Sequence, residues 1–121
     1  MALKTLVIGA SLKEERYSNK AIKKLRNFKH PVVAIGLRKG TVEDVDIEKE
    51  KVLFEDVNTV TLYLNPKRQQ EYYNYIISLK PQRVIFNPGT ENEDFYKLLN
   101  AEKIAFEEAC TLVLLSTGQY E

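Results

Sequence analysis

Gly9, Ala10 and Ser11 follow a β-branched and aliphatic run at residues 5–8 and precede a basic segment containing Lys13, Arg16, Ser18 and Asn19. Small side chains at such a point let a ligand reach the main chain, and a helix starting just beyond presents unpaired N–H groups to an anion. The chemistry on offer is non-covalent capture of a phosphate or nucleotide. Gly9 stands alone where a dinucleotide fingerprint has three glycines, so the stretch also reads as a plain strand-to-helix turn. A second group, Gly36-Leu37-Arg38-Lys39-Gly40, falls at the tip of the next strand. An NAD site usually places an acid there for the ribose hydroxyls, whereas a phosphorylated ribose calls for a cation. Arg38 and Lys39 therefore favour NADP or coenzyme A over NAD, against the alternative that they are ordinary loop charges.

Groups for covalent or acid–base chemistry are sparse. His30 is the single histidine and sits at a helix-to-strand junction. Glu107 and Glu108 are neighbours, so on a strand they point to opposite faces. No His or Cys cluster has metal-ligand spacing. Cys110 reads as a buried small hydrophobe or as a thiol activated at a helix start. These residues favour a binder over an enzyme, with no catalytic residue and no metal ligand assigned.

The elements that hold these groups follow from pattern. After the strand at residues 5–8, Ser18 or Asn19 is an N-cap candidate, and Ala21, Ile22, Leu25 and Phe28 form an apolar stripe at helical spacing. Lys20, Lys23, Lys24 and Arg26 fall mostly on the solvated side. A strand is expected at residues 31–35. Residues 41–58 are acidic and hard to assign, with Val42, Val45 and Ile47 hinting at a short edge element. A strand at 59–64 leads to Asn65 as N-cap and Pro66 at the first helical position. Tyr72, Tyr75, Ile76 and Leu79 read as core and rim of that helix rather than a base-stacking platform. A strand at 83–86 runs into the turn Asn87-Pro88-Gly89-Thr90, after which Thr90 and Glu93 suit a capping box. A last short strand is expected at 104–106, and residues 110–115 fit strand or helix. Alternation of this kind implies right-handed crossovers and an α/β doubly wound sheet of about five mainly parallel strands between helices. Its crevice lies beyond the carboxyl ends of the strands, where the loops after residues 8, 35, 64 and 86 all open.

The 121 residues are expected to form a single domain, which leaves no room for a separate substrate domain. Lys and Arg number 18 against 17 Asp and Glu, so a general nucleic-acid footprint is not supported. The charge is uneven, however: residues 13–29 carry seven basic and two acidic side chains, and residues 43–56 carry seven acidic and two basic. Anions favour the first segment. One cysteine precludes an internal disulfide and fits a reducing interior. No signal peptide or membrane span is recognisable, and a cytoplasmic protein is the expectation.

Val7-Ile8-Gly9-Ala10-Ser11 with Arg16, Tyr17 and Ser18, then Ala34-Ile35-Gly36, the stretch Thr-Val-Thr-Leu-Tyr-Leu-Asn-Pro at 59–66, Asn87-Pro88-Gly89-Thr90-Glu91-Asn92, and the ending Glu107-Glu108-Ala109-Cys110-Thr111-Leu112-Val113-Leu114 cover nearly the whole chain in order. Together they resemble the small stand-alone CoA-binding proteins of three-layer Rossmann-like fold, related to the CoA-binding domain of the succinyl-CoA synthetase α subunit. The resemblance implies that the CoA diphosphate lies against Gly9 to Ser11 and the first helix, with the adenosine end near Gly36, Leu37, Arg38 and Lys39. It implies that Asn65, Pro66 and the loop with Asn87, Pro88, Gly89 and Asn92 border the pantetheine side, and that Cys110 and Thr111 begin a helix. The ligase chemistry of the larger relatives needs a phosphorylated histidine and partner domains, and is not expected here. A CoA or acyl-CoA binding module is the leading expectation. The alternatives are an NADP-binding subunit of an oxidoreductase completed by another chain, and a homo-oligomer with a vestigial pocket.

Overall fold

A computed structural model describes residues 2–121. Its central strand is β1 (Thr5–Ala10), buried along both faces. Leu6 and Ile8 enter one hydrophobic cluster and Val7 the other, as a period of two requires. Ala10 falls on the side of Val7 rather than of Ile8. The cause is Gly9, whose φ of 92° accompanies a register shift in the ladder to the next strand. Helix α1 (Tyr17–Asn27) lays Ile22 and Leu25 on the Val7 face and leads to β2 (Val32–Gly36), parallel to β1.

The acidic stretch that follows folds into two strands. β3 (Gly40–Val42) and β4 (Val45–Glu48) form an antiparallel hairpin, and β4 joins β2 in parallel. Arg26 on α1 donates from Nε and Nη2 to both carboxylate oxygens of Asp44 at 2.8 Å, which ties the turn to the helix. Then come β5 (Thr59–Leu62), α2 (Pro66–Gln69), one turn of 3-10 helix (Gln70–Tyr72) and α3 (Tyr73–Leu79). β6 (Arg83–Phe86), α4 (Glu93–Ala101), β7 (Ala105–Glu108) and α5 (Thr111–Ser116) complete the order. The sheet runs β3-β4-β2-β1-β5-β6-β7, all pairs parallel except β3 with β4. α1 and α5 cover one face, where Leu25 and Leu115 join the Val7 cluster; α3 and α4 cover the other, where Ile76, Phe95 and Leu99 join the Leu6 cluster.

The doubly wound, mainly parallel sheet agrees with the sequence pattern, but it has seven strands rather than about five. The extra pair is the β3–β4 hairpin, whose short strands carry only Val42, Val45 and Ile47 inward. The first helix starts earlier than a Ser18 or Asn19 cap implies: Arg16 is the N-cap, without a side-chain cap, and Ser18 and Asn19 are buried in the first turn. The capping box also shifts. Asn92, not Thr90, caps α4 by accepting from Phe95 N at 3.2 Å, because the Thr90 hydroxyl already donates to the Asn87 carbonyl at 2.7 Å. Asn65 does cap α2, accepting from Arg68 N at 2.9 Å, but the helix breaks at the 3-10 turn. Residues 110–115 resolve as a helix from Thr111 onward.

Candidate functional site

Chain direction across the sheet reverses at β1, with β2 on one side and β5 on the other. Two crossovers diverge there and leave the carboxyl tips of β1 and β5 uncovered. A crevice of about 680 Å³ opens at this point, within the usual range for small-ligand sites. Its floor is bare main chain. A Cβ on Gly9 would lie 3.0 Å from the carbonyl carbon of Tyr63, and one on Gly36 would lie 2.3 Å from the carbonyl oxygen of Ala10. Neither position accepts a side chain without displacing a strand tip.

The walls carry Lys13, Arg16, Arg38 and Arg68 and no acidic residue. Among the described residues no carboxylate lies within 4.0 Å of any of these four cations. Lysines and arginines elsewhere are treated differently: Lys23 meets Glu14, Lys51 meets Glu71 and Arg83 meets Glu107 at 3.2–3.4 Å. Arg16 caps α1 without a side-chain bond, so the N–H groups of the first turn are also left to the crevice. Unpaired cations and free helix N–H groups around a bare floor produce a positive potential that favours an anion.

Of the residues singled out from sequence, Gly9, Ala10, Ser11, Arg16, Ser18, Gly36, Leu37, Arg38, Asn65, Pro88 and Gly89 line this crevice. Five others do not. Lys39 turns outward to Glu48 at 3.8 Å. Pro66 serves as the first residue of α2. Asn19, 1% exposed, donates to the Ser11 carbonyl at 2.9 Å and so holds the loop from beneath. Asn87 donates to Thr61 Oγ1 at 2.7 Å and the Leu62 carbonyl at 2.9 Å, while its Oδ1 accepts from Thr111 N at 2.9 Å. One buried amide thus pins the tips of β5 and β6 and the start of α5. Asn92 donates to Gln69 Oε1 at 2.9 Å and to the Tyr73 hydroxyl at 2.7 Å, besides capping α4.

Leu12, Lys13, Tyr17, Tyr63, Leu64, Arg68, Tyr72 and Thr90 also line the crevice without having been singled out as site residues. For Arg68 a signal was present, because Asn65 as N-cap and Pro66 after it place it in the four-residue helix α2 that opens at the tip of β5. Lys13 belongs to the basic segment already visible in the sequence, and the others are legible only once β1, β2, β5 and β6 are placed side by side. Among the described residues the buried Tyr63 hydroxyl meets no partner in hydrogen-bonding geometry, and it lies beside Thr61 and Thr111, which are bonded to each other at 2.8 Å. Burial pushes its pKa up, so the phenol stays protonated. Cys110 is half-buried at the N-cap of α5, outside the crevice lining. His30 is 1% exposed and lies away from the crevice, its Nδ1 accepting from Leu3 N at 2.9 Å. Among the described residues no group of three or more His, Cys, Asp or Glu side chains is placed to hold a metal, and no helix is long and apolar enough to cross a membrane.

Comparison with known proteins gives the same shape a family context. Residues 4–116 match a family model described as a CoA binding domain. A crystal structure of an uncharacterized protein superposes with a TM-score of 0.95 at 45% identity, covering 98% of each chain. The cell-free ID.343 protein from Thermus thermophilus superposes with a TM-score of 0.86 at 19% identity, over 98% of this chain and 90% of its own. That second likeness bears on fold alone. None of the curated proteins matches the chain.

Proposed function

The chain belongs to the CoA binding domain family, and from that premise we propose that it is a CoA or acyl-CoA binding module of one domain, without a reaction of its own, working in the cytoplasm. The observation that carries this reading is the set of four cations without an acid around a main-chain floor at the switch point. Coenzyme A places a diphosphate and a ribose 3′-phosphate at one end and an uncharged pantetheine at the other. Lys13, Arg16 and the N–H groups of the first turn of α1 take the diphosphate. Arg38, at the tip beyond β2, takes the 3′-phosphate, while Lys39 is held by Glu48. Leu12, Leu37 and Tyr17 are 43%, 68% and 67% exposed at the mouth and offer apolar surface to the adenine. Asn65 and Thr90 supply polar groups along the pantetheine side, beyond β5 and β6.

Calorimetric titration with CoA, dephospho-CoA, NADP and NAD tests the reading. CoA is expected to bind best, with dephospho-CoA weaker by about tenfold through loss of one charge-assisted contact to Arg38. Absence of CoA binding at about millimolar concentration, or a preference for NAD, overturns the reading. A preference for NADP transfers it to a cofactor subunit of an oxidoreductase completed by another chain.

A further inference from the structure

The ladder between β5 and β6 ends at Leu62 opposite Phe86. The two chains then part into separate loops. Leu64 and Asn65 from one, and Pro88, Gly89 and Thr90 from the other, line the crevice. Among the described residues no main-chain hydrogen bond joins these two loops.

A side chain behind them does. Gln69 ends α2, is 0% exposed and stands outside the crevice lining. Its Nε2 donates to the Leu64 carbonyl and to the Thr90 carbonyl, each at 2.8 Å, and its Oε1 accepts from Asn92 Nδ2 at 2.9 Å. A primary amide carries two N–H groups on one nitrogen, and here each holds one loop. The orientation is fixed from outside. Asn92 Oδ1 accepts from Phe95 N at 3.2 Å, so Asn92 turns its Nδ2 toward Gln69, which must answer with its oxygen. Thr90 is held further along the same loop, its N and its hydroxyl donating to the Asn87 carbonyl at 3.0 and 2.7 Å.

This brace backs the half of the crevice that takes the uncharged pantetheine on the CoA reading, whereas Lys13, Arg16 and Arg38 stand on the β1 and β2 side. An uncharged chain gains its affinity from close contact with walls already at the right spacing. A gap wider by about 1 Å forfeits up to about half of the dispersion energy of a contact, and phosphate contacts on the far side do not feel it.

We propose that Gln69 is a positioning residue: it touches no ligand, and it sets the spacing of the two loops so that the crevice holds the pantetheine arm as well as the phosphates. This rests on the CoA reading and adds to it the residue through which the uncharged end contributes to binding.

The test compares CoA with adenosine 3′,5′-bisphosphate, which keeps phosphates on the nucleoside and lacks the pantetheine arm, in calorimetric titration of wild type, Gln69→Leu and Gln69→Glu. Gln69→Leu should weaken CoA about tenfold and leave the bisphosphate within about twofold of wild type. Gln69→Glu adds a pH profile that a packing defect would not produce. Burial beside two carbonyl oxygens raises the pKa of the new carboxyl; protonated it donates to one loop, and ionised it repels both. CoA affinity of this variant should fall about tenfold between about pH 6 and 9, beyond any change in wild type, while the bisphosphate follows wild type. Should Gln69→Leu not fold, Gln69→Glu decides alone, because its protonated form keeps one of the two bonds. Wild-type protein that binds CoA no more tightly than the bisphosphate, or CoA affinity unchanged in both variants, overturns the inference alone. An equal loss of both ligands, with or without loss of circular dichroism, also overturns it and makes the amide a brace of the fold only. Wild-type protein that binds no CoA overturns the CoA reading and this inference with it.

Discussion

At the amino ends of the strands Arg83 donates from Nε to Thr59 Oγ1 at 3.0 Å, from Nη1 to Glu107 at 3.3 Å and from Nη2 to the Tyr120 carbonyl at 2.6 Å. Its guanidinium lies 4.5 Å from the centre of the Tyr120 ring, and the Tyr120 hydroxyl is bonded to Thr5. At the carboxyl ends, Lys13, Arg16, Arg38 and Arg68 line a crevice and meet no carboxylate among the described residues. The two edges of one sheet therefore use cations for different ends. A paired, largely buried guanidinium locks β1, β5, β6, β7 and the C-terminal segment together, whereas unpaired cations leave a field open to a ligand. On the proposed reading, pairing rather than charge itself separates the cations that hold the fold from those left for a ligand.

The largest expected effect is at the locked edge. Arg83→Ala strips four contacts from a side chain only 17% exposed and leaves Glu107 unpaired, so urea unfolding should show a loss of about 3 kcal/mol. CoA affinity should stay within about twofold of wild type, because nothing at the crevice is touched. A large affinity loss with intact folding would erase the distinction between the edges.

Reversing charge at the open edge should do the opposite. Arg16→Glu combined with Arg38→Glu is expected to weaken CoA binding by about 100-fold in titration. Stability should move by less than about 0.5 kcal/mol, since both side chains are exposed and neither has a carboxylate partner to lose. Gly36→Ala sits between the two cases. Its Cβ would meet the Ala10 carbonyl oxygen at 2.3 Å, so the tips of β1 and β2 must part, lowering stability by about 2 kcal/mol and ligand affinity together.

The smallest effect belongs to His30. Burial pushes its pKa below the ordinary 6.5, against the opposing pull of Glu121 at 3.7 Å, with Arg83 adding to the depression. The unfolded chain then binds the proton more readily than the folded one, so stability falls as pH drops below about 6.5. Unfolding of wild type should show this loss between about pH 7 and 5, and His30→Gln should flatten it by up to about 1 kcal/mol. CoA affinity of that variant at neutral pH should be unchanged.

The elements legible in sequence were those with one strong local cause. β1 and β5 carry β-branched runs, and Asn65 with Pro66 announces a helix because both residues satisfy the same first turn. The β3–β4 hairpin was obscured because its strands are only three and four residues long, bury few side chains and are joined through the acidic pair Glu43-Asp44. The Ser18, Asn19 and Thr90 caps failed because each side chain has a competing use: Ser18 is buried within the turn, Asn19 holds Ser11, and Thr90 bonds Asn87. The crevice was legible as a set of loops and not as walls. Lys39 and Arg38 are neighbours in sequence, and only the position of Glu48 on β4 turns one of them away. Asn87 and Asn92 stood out as polar residues near the tips, but their amides are consumed by the fold.

Amide chemical-shift mapping of the isotopically labelled chain during titration with CoA tests the contrast most directly. Perturbations should gather on Gly9 to Ser11, Arg16 to Ser18, Gly36 to Arg38, Asn65, Arg68, Gly89 and Thr90, with His30, Arg83 and Tyr120 silent. Shifts centred on the amino edge, or none at saturating CoA, would contradict the assignment of the open cations to a ligand.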